Sequence, residues 1–297
     1  MIPPEGSHGG DAAAVARALG RDPASMLDLS QSLNPFAPDV TTMAAARLDS
    51  LRRYPDVPAG ERSIAAALGV DPDRVVLTNG GSEAIAIVAA EHRGQVVSEP
   101  EFSLHPRQGR GPRWASNPRN PTGVLAAPDE TAGVWDEAFY PLAAGSWTRG
   151  DPNATVVGSL TKVFACPGLR VGYVLATDGE DAARLRARRP EWSVNSLALA
   201  VLDELLATAE LAGWRDRIGM QRDRLAALLR EHGFEPEPSD ALWLLVKAPG
   251  LRERLAPHGV VVRGCASFGL PDHARIAVPD DDGLDRVATA LEASDAT

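Results

Sequence analysis

The sequence predicts an α/β fold, with a large domain built on a mostly parallel sheet and a smaller α+β domain. Strand-like and helix-like segments alternate between residues 74 and 176, as in repeated βα units. Several strand-like runs are apolar on both faces, which is typical of strands buried in a parallel or mixed sheet. A long helical stretch then precedes further strands and a final amphipathic helix.

Local patterns predict each element in chain order. Short helices are expected over 11–20, 42–53 and 61–70, the last ending at Gly69. RVVLTNGGSEAIAIVAAEH (74–92) reads as a strand, a Gly-rich turn and a helix. Further strands are expected within 95–100, 113–123, 133–139, 155–162 and 170–176. Helices follow over 195–214 and up to 229–233, and the last strands over 241–248, 259–265 and 274–278.

These elements predict a chain of three parts. Residues 1–50 are expected to contribute to the smaller domain, 51–185 to form the large domain, and 186–297 to form the smaller C-terminal domain. The chain is long enough to bury a sizeable core.

The composition narrows the classes of function. A net charge of −10 argues against nonspecific attraction to nucleic acid or an anionic membrane. The two cysteines, Cys166 and Cys265, predict no disulfide framework and therefore a cytoplasmic location. Neither a signal peptide nor a membrane span is expected. The residues predict no metal site.

Lys162 stands out because the sequence contains only two lysines, the other being Lys247. It follows a strand-like run, and Ser159 precedes it in a Ser-x-x-Lys arrangement. A lysine that forms a Schiff base needs a deprotonated amine, which burial and neighbouring cations provide. Serine acyl-transfer enzymes also use Ser-x-x-Lys, and a strand-end surface lysine is the ordinary alternative.

Three further segments could serve a ligand. Asp136 lies at the end of a predicted strand, where open α/β sheets bind ligands. An aspartate that caps a helix or lies in a solvated loop would give the same sequence pattern. The turn NGGSEA (79–84) could direct backbone N–H groups at a phosphate. SNPRNPTG (116–123) holds Asn120 in a loop that two prolines stiffen.

Together these segments resemble the pyridoxal 5′-phosphate (PLP) enzymes of fold type I, in the class I/II aminotransferase family. The family's motifs occur in its order: a Gly/Ser turn, an aromatic residue after a proline, NPxNPTG, DEA-aromatic, and S-x-[ST]-K followed by G-[LM]-R-x-G-Y. The resemblance runs from about His8 to Val278. It implies an enzyme with PLP as its cofactor.

The resemblance also implies roles for individual residues. Lys162 would form the Schiff base with PLP and later move the proton at the substrate Cα, and Asp136 would pair with the ring nitrogen. Phe102 would stack on the ring, and Asn120 would bond its O3′ oxygen. The residues expected around the cofactor phosphate are Gly81, Ser82, Ser159, Thr161 and Arg170. Tyr54 would reach the phosphate of a neighbouring subunit, which implies a homodimer.

Other segments resemble the branch that contains L-threonine-O-3-phosphate decarboxylase, with histidinol-phosphate aminotransferase as its close relative. These segments are HGG (8–10), SLNPFAP (32–38), DEAF (136–139) and PEWSVNSLA (190–198). The resemblance implies a small phosphorylated amino acid as substrate and a role in cobalamin biosynthesis. The expected substrate-binding residues are His8, Asn34, Arg263 and Arg275.

The sequence departs from the family in two ways. Phe139 replaces a tyrosine that many aminotransferases use to donate a hydrogen bond to the O3′ oxygen of PLP. Residues 103–115 are far fewer than the family places between Phe102 and Ser116, and a parallel crossover ordinarily needs a dozen or more residues, usually with a helix. We therefore expect a shortened large domain with fewer strands and a thinner helical layer.

Other functions remain open at this point. Breaking the Cα–carboxylate bond would give decarboxylation, whereas breaking the Cα–H bond would give transamination. A shortened PLP-binding protein with little catalysis is a second hypothesis, which the shortened crossover motivates. An acyl hydrolase with Ser159 as its nucleophile is a third, but it leaves Asp136 and NPRNPTG unused.

Overall fold

The helices and strands of the computed structural model alternate along most of the chain. The structure describes residues 2–3, 6 and 8–295. The strands are β1 (Leu27–Leu29), β2 (Val75–Thr78), β3 (Gln95–Val96), β4 (Arg113–Ser116), β5 (Val134–Asp136), β6 (Thr155–Ser159), β7 (Gly172–Leu175), β8 (Trp243–Lys247), β9 (Val260–Cys265) and β10 (Leu270–Ala277).

The α-helices connect and cover these strands. They are α1 (Ala12–Ala18), α2 (Val40–Ala45), α3 (Val57–Leu68), α4 (Gly80–His92), α5 (Tyr140–Ala144), α6 (Leu160–Val163), α7 (Gly179–Arg188), α8 (Ser196–Ala207), α9 (Leu211–Glu231), α10 (Leu251–Leu255) and α11 (Asp281–Asp295). Within the described part of the chain, no helix is long and apolar enough to cross a membrane.

Six described strands form the large sheet, in the order β2-β7-β6-β5-β4-β3. The pairs β3–β4, β4–β5 and β5–β6 are parallel, and β7 runs antiparallel to both of its neighbours. Alternate residues of each strand enter the two cores on opposite faces. Helices α3 and α8 pack on one face, and α4 and α7 pack on the other. The expected mostly parallel α/β sheet is confirmed.

The smaller sheet has the order β1-β9-β10-β8. Strand β1 pairs in parallel with β9, so residues 27–29 join this sheet from the N-terminal part of the chain. The long helix α9 spans both cores, with Trp214 and Ile218 in the core of the large sheet and Leu225 and Leu229 in that of the smaller one. The predicted domain boundaries at 50 and 185 stay a prediction.

The two crossovers at the β3 edge of the large sheet contain no helix. Residues 97–112 link β3 to β4 and residues 117–133 link β4 to β5, both as irregular loops. The prediction of a thinner helical layer is confirmed at this edge.

Three predicted strands end earlier than the sequence indicated, among them the strand expected over 133–139, which ends at Asp136. The strand expected over 95–100 is restricted to Gln95–Val96, because residues 99–107 fold back into a compact loop. The run 155–162 leaves the sheet after Ser159, so Lys162 lies in the single turn of α6.

Candidate active site

A cavity of about 450 Å³ opens at the carboxyl edge of the parallel strands. Strands β2, β4, β5 and β6 end there, and the smaller sheet closes the opposite side with β9 and β10. The predicted site residues that line this cavity are His8, Gly81, Ser82, Phe102, Asn120, Asp136, Ser159, Thr161, Lys162, Arg170, Arg263 and Arg275.

Lys162 reaches the cavity from α6, directly after β6. Its Nζ atom lies 5.8 Å from the ring centroid of Phe139. Desolvation of the ammonium group, and then the charge of Arg275, lower the pKa of Lys162 to about 8. Both effects disfavour the charged amine, so the fold produces the nucleophilic form that a Schiff base requires.

One end of the cavity is suited to a phosphate. Helix α4 begins at Gly80 and presents Gly81 and Ser82 from its first turn. A Cβ atom on Gly80 would lie 2.4 Å from Nη2 of Arg170, so a glycine is needed for the guanidinium to lie against this turn. Thr161 is buried here, and its Oγ1 atom has no hydrogen-bond partner among the described residues.

Asp136, at the end of β5, is held by two donors. Its Oδ1 atom accepts a hydrogen bond from the Ala138 N–H at 3.0 Å, and its Oδ2 atom lies 2.9 Å from Nε2 of the buried His105. Nδ1 of His105 lies 3.6 Å from a carboxylate oxygen of Glu101. Burial opposes the charged imidazolium, but the hydrogen bond to Asp136 and the nearby Glu101 carboxylate outweigh it and raise the pKa of His105 to about 9.

Two buried arginines face the cavity from the smaller sheet. Arg263 on β9 and Arg275 on β10 are register partners on adjacent antiparallel strands, so their side chains lie side by side. Nη1 of Arg275 donates to Oδ1 of Asn120 at 2.6 Å, and Nη2 of Arg263 donates to Oγ of Ser267 at 3.0 Å. Burial and then the charge of Arg263 lower the pKa of Arg275.

The segment His8–Gly10 crosses the mouth of the cavity. A Cβ atom on Gly9 would lie 2.1 Å from the Ser30 carbonyl oxygen, so this close contact requires glycine. The backbone N–H of Gly10 donates to Oγ of Ser30 at 2.8 Å. The ring of His8 lies 5.7 Å from that of Phe102, and partial burial and Arg263 lower the pKa of His8.

Two predicted site residues lie outside this cavity. Asn34 is buried, and its amide donates to the Val163 carbonyl oxygen at 2.9 Å while its side-chain oxygen accepts from the Phe36 N–H. This position supports the α6 backbone rather than a substrate contact. Tyr54 is 78% exposed and packs against the exposed ring of Trp192, with centroids 4.9 Å apart.

Sequence reasoning overlooked His105, Glu101 and Ser32. The first two follow Pro100 around Phe102, but only the fold shows that His105 reaches Asp136. Ser32 lines the cavity two residues before Asn34, and its buried Oγ atom has no hydrogen-bond partner among the described residues. None of the three has a sequence signal beyond its nearness to a motif.

The described residues contain no group of three His, Cys, Asp or Glu side chains that could hold a metal ion. The charged groups of the cavity are instead mainly cationic. Lys162, Arg170, Arg263 and Arg275 line it, whereas Asp136 is the carboxylate among its lining residues. The cavity is therefore suited to an organic ligand that carries more than one negative charge.

Comparisons with known proteins agree with this arrangement. The family model for aminotransferase class I and II matches residues 114–291. The chain is 30% identical to histidinol-phosphate aminotransferase 2 of Pseudomonas fluorescens, over 89% of this chain and 87% of that protein. It is 27% identical to threonine-phosphate decarboxylase of Salmonella typhimurium, over 96% and 95%.

A solved structure shares the fold. Histidinol-phosphate aminotransferase from Sinorhizobium meliloti, in complex with pyridoxal 5′-phosphate, matches with a TM-score of 0.79 and 19% identity, over 95% of this chain and 94% of that one.

Proposed function

The chain belongs to the class I and II aminotransferase family and is a PLP-dependent enzyme, and on this premise we propose that it acts on a small phosphorylated amino acid. The first candidate reaction is decarboxylation of O-phosphothreonine, as the name of the Salmonella relative suggests. One observation carries the proposal: a single cavity combines Lys162 and Asp136 with His8 and the facing pair Arg263 and Arg275.

The cavity fits the phosphate of PLP. Backbone N–H groups at the start of α4 and the Arg170 guanidinium supply donors, and the buried Thr161 hydroxyl is a further polar group that lacks a protein partner. Helix N-termini and guanidinium groups are the usual partners of phosphate oxygens. We assign Gly81, Ser82, Ser159, Thr161 and Arg170 to this end.

The cavity also fits the ring of PLP. Asp136 offers a carboxylate that His105 orients, and Phe102 offers an aromatic face. We assign Asp136 to the ring nitrogen, Phe102 to the ring face and Asn120 to the O3′ oxygen. When bound, PLP supplies an electron sink for the bond that breaks at the substrate Cα.

Lys162 and Asp136 would carry the proton chemistry. The lowered pKa of Lys162 increases the fraction of its amine that is uncharged near neutral pH and able to bond the cofactor. Once the substrate amine replaces it, Nζ of Lys162 is free to deliver or accept a proton at Cα. The Asp136 carboxylate would hold a proton at the ring nitrogen.

The arginine pair supports a substrate with two anionic groups. Buried like charges side by side repel each other, so an anionic ligand between them relieves an unfavourable arrangement. Arg275, already ordered by Asn120, would bind the substrate carboxylate, and Arg263 with His8 would bind the phosphate. O-phosphothreonine carries both groups.

Product analysis tests this reaction. We expect the PLP-loaded protein to release CO₂ and the corresponding amino alcohol phosphate from O-phosphothreonine. We expect much less CO₂ from threonine, because Arg263 and His8 would then lack the phosphate. Release of ammonia or a keto acid in place of CO₂, or equal rates with threonine, would contradict the proposal.

Transamination of histidinol phosphate is the second candidate. The 30% identity to an enzyme with that name favours it, and the same phosphate-binding residues would serve. Incubation with histidinol phosphate and an α-keto acid acceptor, followed by amino acid analysis, separates the two candidates. A new amino acid formed without CO₂ would favour this reaction.

We further propose that the enzyme works as a homodimer in which Tyr54 completes the partner's phosphate site. Tyr54 and Trp192 are exposed by 78% and 60%, and Leu48 and Leu51 nearby in the chain are exposed by 54% and 62%. Large apolar side chains exposed together mark interaction surfaces. Sedimentation analysis should give a dimer, and a fully active monomer would contradict this assignment.

A further inference from the structure

In each helix-free crossover of the large sheet, one arginine donates to several backbone carbonyl groups. Arg107 lies within loop 97–112, and Arg149 packs against loop 117–133. A helix would satisfy its backbone carbonyl groups internally, whereas these irregular loops need other donors. A guanidinium group, with five N–H donors in a fixed plane, can satisfy several carbonyl groups at once.

Arg107 donates hydrogen bonds to the backbone of Phe102, which lines the cavity, and of two residues beside it in the chain. Its Nη1 atom donates to the carbonyl oxygens of Phe102 at 2.5 Å and His105 at 2.7 Å, and its Nη2 atom donates to that of Glu101 at 2.8 Å. Its Nε atom donates to the Glu99 carboxylate at 2.9 Å. One side chain therefore fixes the backbone on both sides of Phe102.

Arg149 makes a comparable set of bonds away from the cavity. Its guanidinium donates to the carbonyl oxygens of Ala126, Ala127, Pro128 and Glu130 at 2.8–3.4 Å. It also lies over the ring of Trp135, 5.1 Å from the centroid. None of the four carbonyl groups belongs to a residue that lines the cavity.

We propose that Arg107 is a positioning residue for the cofactor, which sets the Phe102 ring and the His105 imidazole through their own backbone carbonyl groups. It fixes this segment in a crossover that contains no helix. Arg149 performs the same structural task without an effect on the cofactor. This inference rests on the proposed roles of Phe102 and Asp136.

The test compares Arg107→Met with Arg149→Met as a matched control. Each variant removes one guanidinium that donates to several carbonyl oxygens. We measure the melting temperature of the cofactor-free protein, the Kd for PLP by titration, and the visible circular dichroism of the bound cofactor. The last signal reports how the ring is held, which stability alone does not change.

Both variants should melt at lower temperature than the wild type. Arg107→Met should bind PLP about tenfold more weakly, with an altered circular dichroism band, while Arg149→Met should keep the wild-type Kd and band. Wild-type PLP binding by Arg107→Met would overturn the inference. An equal loss of affinity in Arg149→Met would also overturn it, because general destabilisation would then explain both.

A second variant guards against misfolding. Arg107→Lys keeps the charge beside Glu99, but its single ammonium group cannot replace all the bonds of the planar guanidinium to three carbonyl groups and the Glu99 carboxylate. It should therefore fold and still bind PLP more weakly, and wild-type binding would contradict the inference. In a Phe102→Ala background, Arg107→Met should cost less affinity than it does alone. A wild-type protein that binds no PLP would instead contradict the proposed cofactor site itself.

Discussion

The two halves of the large sheet reach rigidity by different means. On one face of the sheet, helices α4 and α7 cover β2, β7 and β6. At β4, in contrast, the ring of Trp114 contacts the ring of His105, a residue of loop 97–112, and the two ring centroids lie 5.5 Å apart. The helix-covered half supplies Lys162 and the phosphate end of the cavity, and the loop-connected half supplies Asp136, Asn120 and Phe102. The large sheet thus presents both sets of residues although the crossovers 97–112 and 117–133 contain no helix.

The largest effect is expected in the helix-covered half, at Lys162. Lys162→Ala should abolish covalent attachment of PLP and lower turnover by ~10⁴-fold or more, the upper range for positioned proton transfer. Lys247→Ala, which removes the only other lysine, should leave both unchanged. Absorbance of the bound cofactor measures its attachment, and product formation measures turnover. Appreciable turnover by Lys162→Ala would contradict the proposed role of Lys162.

Close packing in the same half predicts the next effect, on stability. Gly158 on β6 lies under the buried ring of Tyr173, and a Cβ atom there would be 2.1 Å from the ring. Gly158→Ala should lower the free energy of unfolding by about 3 kcal/mol, because β6 and β7 are paired interior strands and the Tyr173 ring is buried. Gly168→Ala, where no atom lies within 4 Å, is the control. Denaturant unfolding measures the free energy of unfolding of both variants. Equal values would show that the structure around Gly158 can relax to accept the added methyl group.

In the loop-connected half, a pH-dependent effect on stability is expected from His105. Its pKa is raised in the folded protein from 6.5 to about 9, so its contribution is fully present below pH 6.5 and is lost as the pH rises through 9. Each unit of this shift corresponds to about 1.4 kcal/mol. The stability difference between wild type and His105→Gln should therefore shrink between these pH values. Parallel unfolding curves across that range would show that Asp136 and Glu101 do not hold a charged imidazolium.

The smallest effect concerns the reactivity of Lys162. Attachment of PLP to the cofactor-free protein should become faster as the pH rises, with a midpoint near the lowered pKa of about 8. Arg275→Met should move this midpoint upward, but only partly toward 10.5, because desolvation is the larger cause and Arg170 and Arg263 remain. Arg254→Met, far from the cavity against Phe234, should not move it. Stopped-flow absorbance over a pH series provides the measurement.

In the helix-covered half, the residues that the sequence patterns selected line one cavity. Lys162, Ser159 and Arg170 lie in one short segment, so their nearness to each other follows from the chain itself. The Gly-rich turn also predicted the start of α4, because only a few residues separate β2 from the helix.

The loop-connected half was less predictable. The contact between His105 and Asp136 joins residues 31 positions apart and depends on the path of an irregular loop. Local propensity extended β3 to residue 100, whereas the bonds of Arg107 fold residues 99–107 into a turn. Asn34 matched a motif, but its amide satisfies a backbone carbonyl group, which no pattern of residue types reveals.

The facing pair Arg263 and Arg275 has a practical consequence for handling the enzyme. Two buried guanidinium groups side by side should bind small oxyanions from solution. A ligand that binds only the folded state of a protein raises the melting temperature of that protein. Phosphate or sulfate buffers should therefore stabilise the protein while competing with its substrate. Kinetic constants measured in such buffers would understate its affinity, and an uncharged or cationic buffer is the sounder choice for assays.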